Sequence, residues 1–191
     1  MTGVRPDLEV IVHMVPPGAR VLDLGCGDGT LLAELVAQKG VQGRGVEVDE
    51  AKVRACMSKG LSVRHGNIED GLADFPDGMF DLVILSQTVA YLNRPLGVMQ
   101  EMARVGRSAI ISFENSGCWR TRWRALRGEG NGNTLMSGQP RVRAITLRQF
   151  DEALQHLNLR ATERVFLRGS SRVSRWPSLF AEAAVFRVAK A

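Results

Sequence analysis

Three glycines at alternate positions, Gly25, Gly27 and Gly29, stand in the run VLDLGCGDGT at residues 21–30, with Asp23 and Asp28 set among them. Glycines spaced in this way let a backbone close tightly around a ligand. The familiar pyrophosphate loop has the spacing Gly-x-Gly-x-x-Gly. Counted from Gly25, its third glycine falls on Thr30, so that fingerprint fails. Charge points the same way. A helix N-terminus attracts anions, but Asp23, Asp28 and the later Glu47 would repel a pyrophosphate. A cationic nucleotide without phosphate fits the loop better.

S-adenosylmethionine has that chemistry, with a sulfonium and an ammonium group and a need for close backbone approach. Glu47 follows Gly25 by 22 residues and ends a second β-rich run, where a carboxylate can accept hydrogen bonds from both ribose hydroxyls of an adenosine. At the end of a third such run, GNIED offers Asn67 and the Ile68 backbone to an adenine edge. Cys26 within the loop, Val48 beside Glu47 and Ser86 at the end of a fourth run complete the candidate cofactor-binding residues. The demethylated product, S-adenosylhomocysteine, would occupy the same place.

Such residues must be positioned by strand ends, and the chain supplies them in order. β-rich runs at 19–26, 43–49, 61–67, 80–87 and 108–115 alternate with helical patterns at 29–40, 49–60 and 95–106. A leading helix from about Pro6 to Val15 is closed by Pro16 and Pro17. This alternation predicts an α/β fold: a doubly wound, Rossmann-like, mostly parallel sheet with helices on both faces. The strands are nearly continuous in Val, Ile and Leu, as burial of both sheet faces requires. The pattern breaks near residues 116–140, read as an insertion or mobile loop in which CWRTRWRALRG precedes a glycine-rich stretch at 128–138. A helix capped by Thr146 and two closing strands follow, and no repeat or second domain is evident over residues 1–191.

The totals are those of a soluble globular protein, with 45% hydrophobic and 24% charged residues. No apolar run approaches the ~20 residues that span a bilayer, and no signal-peptide pattern opens the chain, so a cytoplasmic protein is expected. Cys26, Cys56 and Cys118 are far apart in sequence, without Cys-x-x-Cys spacing, which argues against a disulfide framework or a metal site. Charge is unevenly divided. Residues 1–103 carry 9 Lys/Arg against 14 Asp/Glu, and residues 104–191 carry 16 against 6. A basic half of this kind suits an acidic partner, a nucleic acid or simply a solvated face.

The motifs VLDLGCGDG, GVEVD, HGNIED and FDLVILSQ resemble those of class I S-adenosylmethionine-dependent methyltransferases. More narrowly, the chain resembles the methionine biosynthesis protein MetW family from about Arg5 to Lys190. The resemblance rests on RPDL at 5–8, VPPGARVLDLGCGDG at 15–29, DGLADFPDGMFDLVILSQT at 70–88, EMARVGR at 101–107, GCWRTR at 117–122 and TLRQF at 146–150. It implies a methyltransferase-like protein of methionine biosynthesis acting alongside homoserine O-acyltransferase. It implies that Asp23, Gly25, Gly27 and Gly29 shape the methionine end of the cofactor site, that Glu47 holds the ribose and that Val48 lies against the adenine. Asn67 stands where many methyltransferases have aspartate. Glu114, Cys118 and Arg143 depart from the family pattern, which tends to have proline and histidine at the first two places and histidine at the third.

Methyl transfer needs an acceptor in line with the sulfonium and often a base. No Asn-Pro-Pro-Tyr run and no Pro-Cys nucleophile occurs, which makes nucleic-acid methylation the weaker reading. A small-molecule acceptor near Tyr91 or His13 is one alternative, and a non-catalytic regulator of an acyltransferase is another. His65 reads as a strand residue with a satisfied hydrogen bond, and His156 as a surface residue. In CWRTRWRALRG, Trp119, Trp123 and Leu126 share one helical face and Arg120, Arg124 and Arg127 the next. That helix either docks a partner or packs its tryptophans on the sheet edge.

Overall fold

A computed structural model describes residues 5–127 and 142–191. The elements run α1 (Pro6–Met14), β1 (Arg20–Leu24), α2 (Thr30–Lys39), β2 (Gln42–Glu47), α3 (Glu50–Ser58), β3 (Ser62–His65), β4 (Phe80–Ser86), α4 (Pro95–Val105), β5 (Gly106–Glu114), α5 (Trp119–Leu126), α6 (Leu147–His156), β6 (Leu159–Arg168), β7 (Ser171–Arg172), α7 (Pro177–Phe180) and β8 (Ala183–Lys190). Short 3₁₀ turns at Ile68–Asp70 and Val89–Tyr91 follow β3 and β4. The expected α/β architecture is present. Eight strands form one sheet in the order β3-β2-β1-β4-β5-β8-β6-β7. β1 to β5 are parallel, whereas β8, β6 and β7 add antiparallel pairings.

The parallel strands are buried on both faces, and β4 shows how. Leu82 and Ile84 join a cluster with Ile11 of α1 and Leu31 and Leu35 of α2. The alternate residues Val83 and Leu85 join another with Met99 and Met102 of α4 and Phe150 and Leu154 of α6. Period-two alternation along one strand therefore feeds two cores. α3 begins as expected at Asp49, whose carboxylate accepts from the Ala51 and Lys52 N–H groups. α6 begins with a capping box, Thr146 and Gln149 each bonding the other's backbone.

The second core is aromatic at its centre. Phe186 of β8 is fully buried, with ring centroids 4.7 Å from Phe150, 5.8 Å from Phe113 and 5.9 Å from Phe166. β8 reaches this position because it inserts between β5 and β6.

Part of 116–140 is ordered helix. α5 occupies Trp119–Leu126, and none of its residues is buried. The packing of Trp119 and Trp123 against the sheet edge, one of the two expectations for this helix, is corrected: they are 40% and 52% exposed. The glycine-rich stretch 128–138 lies outside the described residues. Removal of the Phe186 ring leaves a cavity among three aromatic neighbours. Phe186→Ala is expected to cost ~3–5 kcal/mol of unfolding free energy in urea titrations; a loss under about 1 kcal/mol would show that the ring is dispensable.

Candidate functional site

The turn after β1 is built on left-handed backbone. Gly25, Gly27 and Gly29 have φ of 69°, 59° and 77°. Two of these positions differ in what surrounds them. A β-carbon on Gly25 would lie 2.9 Å from the Thr88 side chain, whereas one on Gly27 would meet no atom within 4 Å, so there only the left-handed backbone disfavours a side chain and the face is open. The turn is tied to β2 by Gly25 and Cys26, whose N–H groups donate to the Val46 carbonyl at 2.8 and 3.2 Å.

Glu47 fastens the same turn. Its Oε2 accepts from Gly27 N–H at 2.8 Å, and Oε1 accepts from Val48 and Asp49 N–H at 3.0 Å each. The expected ribose acceptor is thus 5% exposed and already holds three backbone donors. Oε2, with one donor, keeps capacity for another. Val48 beside it is 64% exposed and presents an apolar surface. His65 Nε2 lies 2.9 Å from the Val48 carbonyl, as its satisfied-strand reading anticipated.

Asp23 and Asp28 play different parts. Asp28 turns away to the Thr30 hydroxyl and N–H and to Lys59, and the Thr30 hydroxyl foremost holds its carboxyl below the usual range. Asp23 is 2% exposed, and among the described residues no donor reaches its carboxylate. Burial pushes it up to about 7; the Arg5 cation opposes that shift and the Glu47 charge adds to it. A buried carboxylate without donors beside an open glycine turn suits a cation. The residues therefore fit the ammonium-bearing end of S-adenosylmethionine.

Other expected residues divide. Cys26 is buried, and its thiol is raised chiefly by burial, so its side chain is packed beneath the turn. Cys26 and Cys56, distant in sequence, are brought into side-chain contact there. The Asn67 side-chain oxygen caps the turn that follows, accepting from the Glu69 N–H at 3.0 Å, and its amide N–H groups make no hydrogen bond among the described residues. Ile68 is buried by its side chain. His13 is exposed, its Nδ1 2.8 Å from the Glu9 carbonyl, and it does not line the cleft described below.

Ser86 belongs to a different cluster, one that sequence reasoning missed. Asp7 of α1, only 3% exposed, accepts from Ser112 Oγ at 2.8 Å, Arg5 Nη2 at 3.2 Å, and Ser86 Oγ and Gln87 Nε2 at 3.3 Å. Arg5 also bonds Ser86. The available signal was an acid in the first turn of an apolar helix, matched by serines toward the ends of otherwise apolar strands. Asp7 and Arg5 border a cleft of ≈ 880 Å³ that extends past Tyr91, Trp119, Trp123 and Arg143.

A mostly parallel sheet, a glycine turn and carboxylates at successive strand ends set the geometry for comparison with known proteins. Residues 5–188 match the family described as methionine biosynthesis protein MetW. The chain belongs to the MetW family. A bifunctional methionine biosynthesis protein MetXA/MetW of Rhodopirellula baltica is 33% identical over 174 residues, covering 84% of this MetW-family chain and 28% of that relative. The chain thus spans less than a third of the relative's length. Its fold resembles an S-adenosylmethionine-dependent methyltransferase of Archaeoglobus fulgidus, with a TM-score of 0.73, 19% identity and coverage of 96% of this chain and 91% of that one. It also resembles the magnesium protoporphyrin IX methyltransferase of Synechocystis, solved with S-adenosylhomocysteine, with a TM-score of 0.69, 17% identity and coverage of 97% and 82%. These two likenesses establish the methyltransferase fold of this MetW-family member and leave its chemistry to the site. Among the described residues no cluster of metal-ligating side chains occurs, and no helix is long and apolar enough to cross a membrane.

Asp23 gives stability a distinct pH dependence. Its folded pKa, about 7, lies above the ordinary 3.8, so the folded chain keeps a proton that the unfolded chain releases. Stability from this group is therefore full at low pH and falls as pH rises from about 4 through 7. Asp23→Asn is expected to be the more stable protein at about pH 8 without ligand, and to lose that part of the slope. Urea midpoints of both proteins at about pH 5 and pH 8 check this, and parallel profiles would contradict it.

Proposed function

We propose that this MetW-family chain binds S-adenosylmethionine at the carboxyl ends of β1 to β4 and acts in methionine biosynthesis as a methyltransferase-type protein. One observation carries the reading: Glu47 and the open face of Gly27 lie together beside a buried Asp23 to which no described donor is bonded. When bound, the cofactor supplies a methyl group made transferable by its sulfonium. Glu47 Oε2 would take a ribose hydroxyl, Asp23 the ammonium, and Gly25, Gly27 and Gly29 the close approach of the methionine end. Val48 would cover the adenine face, with Asn67 and the Ile68 backbone at its edge. Cys26 acts through its backbone, and Ser86 through the Asp7 cluster.

A second reading is favoured by the relative from Rhodopirellula baltica, whose name joins MetXA to MetW in one protein. In it the chain works as the partner of a homoserine O-acyltransferase and uses the cofactor as a signal. Labelled cofactor incubated with a metabolite extract separates the two, because only the enzyme leaves a methylated product.

Both readings require cofactor binding, which calorimetry tests directly. Wild type is expected to bind S-adenosylmethionine and S-adenosylhomocysteine. Glu47→Ala is expected to weaken both by ~1.5–3 kcal/mol, the range for hydrogen bonds to a charged group. An absence of heat with wild type, or an unchanged Kd in a folded Glu47→Ala variant, would sink the assignment.

A further inference from the structure

The Asp7 carboxylate is engaged on one side only. Its side chain is 4% exposed, and all four of its donors converge on Oδ2. No donor among the described residues reaches Oδ1. Asp7 borders the ≈ 880 Å³ cleft. Oδ1 is the carboxylate oxygen left to accept from a group bound there.

The surroundings hold it there. Gln87, which donates to Asp7, has a left-handed φ of 57°, a conformation that non-glycine residues adopt at a cost. Its N–H is fixed by the Ser112 carbonyl at 3.0 Å and Ser112 Oγ at 3.2 Å. Such strain persists where surrounding structure enforces it, and it gathers at functional sites. The next residue, Thr88, abuts Gly25, so Gln87 on the cleft wall is one position from the residue that touches the glycine turn.

The chemistry of the cleft restricts its ligand. Arg5, 3.2 Å from Asp7, already balances that carboxylate. A second full cation at Oδ1 would crowd the guanidinium, whereas a neutral hydroxyl would not. Tyr91, Trp119 and Trp123 supply exposed aromatic walls. Arg143 bonds the Leu92 and Asn93 carbonyls at 2.9 and 2.8 Å, and no carboxylate among the described residues neutralises it. Of the two other acids at the cleft, Glu182 is paired with Arg120 at 3.1 Å, and Glu114 is exposed.

We propose that this cleft is the methyl-acceptor site and that it takes an aromatic monoanion bearing a hydroxyl, the hydroxyl donating to Asp7 Oδ1 and the anionic end facing Arg143. The role as acceptor site rests on the S-adenosylmethionine reading above; the binding itself does not. A site built around a hydrogen bond to a hydroxyl rejects the analogue that lacks it.

The test is an NMR titration with para-hydroxyphenylacetate, phenylacetate and para-cresol, each with and without saturating S-adenosylhomocysteine. Wild type is expected to bind para-hydroxyphenylacetate at least about tenfold more tightly than either fragment. In Asp7→Asn the four donors hold the amide oxygen in the place of Oδ2, so a neutral N–H replaces the charged acceptor, the hydroxyl can only accept from it, and the advantage over phenylacetate falls at least about fivefold. Arg143→Gln lies away from α1 and is expected to erase the advantage over para-cresol, which keeps the test decisive if Asp7→Asn fails to fold. Equal binding of the three probes, no binding, or variants that weaken all probes alike would overturn the proposal. A hydroxyl preference without S-adenosylhomocysteine binding would remove the methyl-transfer reading and leave the binding site. Cofactor binding without a hydroxyl preference would do the reverse.

Discussion

Three backbone N–H groups from two strand ends converge on the Glu47 carboxylate: Gly27 after β1, and Val48 and Asp49 after β2. Together with the bonds from Gly25 and Cys26 to the Val46 carbonyl, that anchor selects one left-handed path from the many open to a glycine-rich turn. The contrast with Asp23 is instructive. Two carboxylates are buried at the same end of the sheet, one with three donors and the other with none among the described residues. The first organises the turn; in the proposed function the second takes the ammonium of the cofactor.

A second carboxylate repeats the device on the far side of the β1/β4 boundary, where strand order reverses direction. Asp7 draws the start of α1 onto the ends of β4 and β5 through Ser86 and Ser112. The two anchors divide the carboxyl edge of the sheet into a region that suits a nucleotide and a broader cleft. Crevices at such a reversal are where open α/β sheets bind ligands.

Much of this was legible in the sequence. The five parallel strands announced themselves as apolar runs between helical patterns, and Thr30 and Glu47 sufficed to turn the glycine loop from phosphate toward a cationic nucleotide. Asp7 was not legible, because its meaning lies in contacts with residues 79 and 105 positions away. α5 was read as a helix, but its periodicity could not tell an exposed aromatic face from a packed one. The pairing of Cys26 with Cys56 was hidden for the same reason: it depends on how α3 settles beside the turn. Local spacing reports local structure, and the acceptor side of this protein is assembled from distant pieces.

The place of β8 has a consequence for how the molecule is made. The strand nearest the end of the described chain is the sheet's interior link, with β5 on one side and β6 on the other. During synthesis β6 and β7 emerge first, yet they have no strand linking them to the rest of the sheet until residues 183–190 arrive. β5 waits likewise, with one edge unpaired and its Phe113 uncovered by Phe186. A nascent chain therefore carries an open apolar edge until β8 is released, and such edges invite pairing with other chains. The sheet closes only when β8 joins β5 to β6, and until then both of those edges are open to other chains.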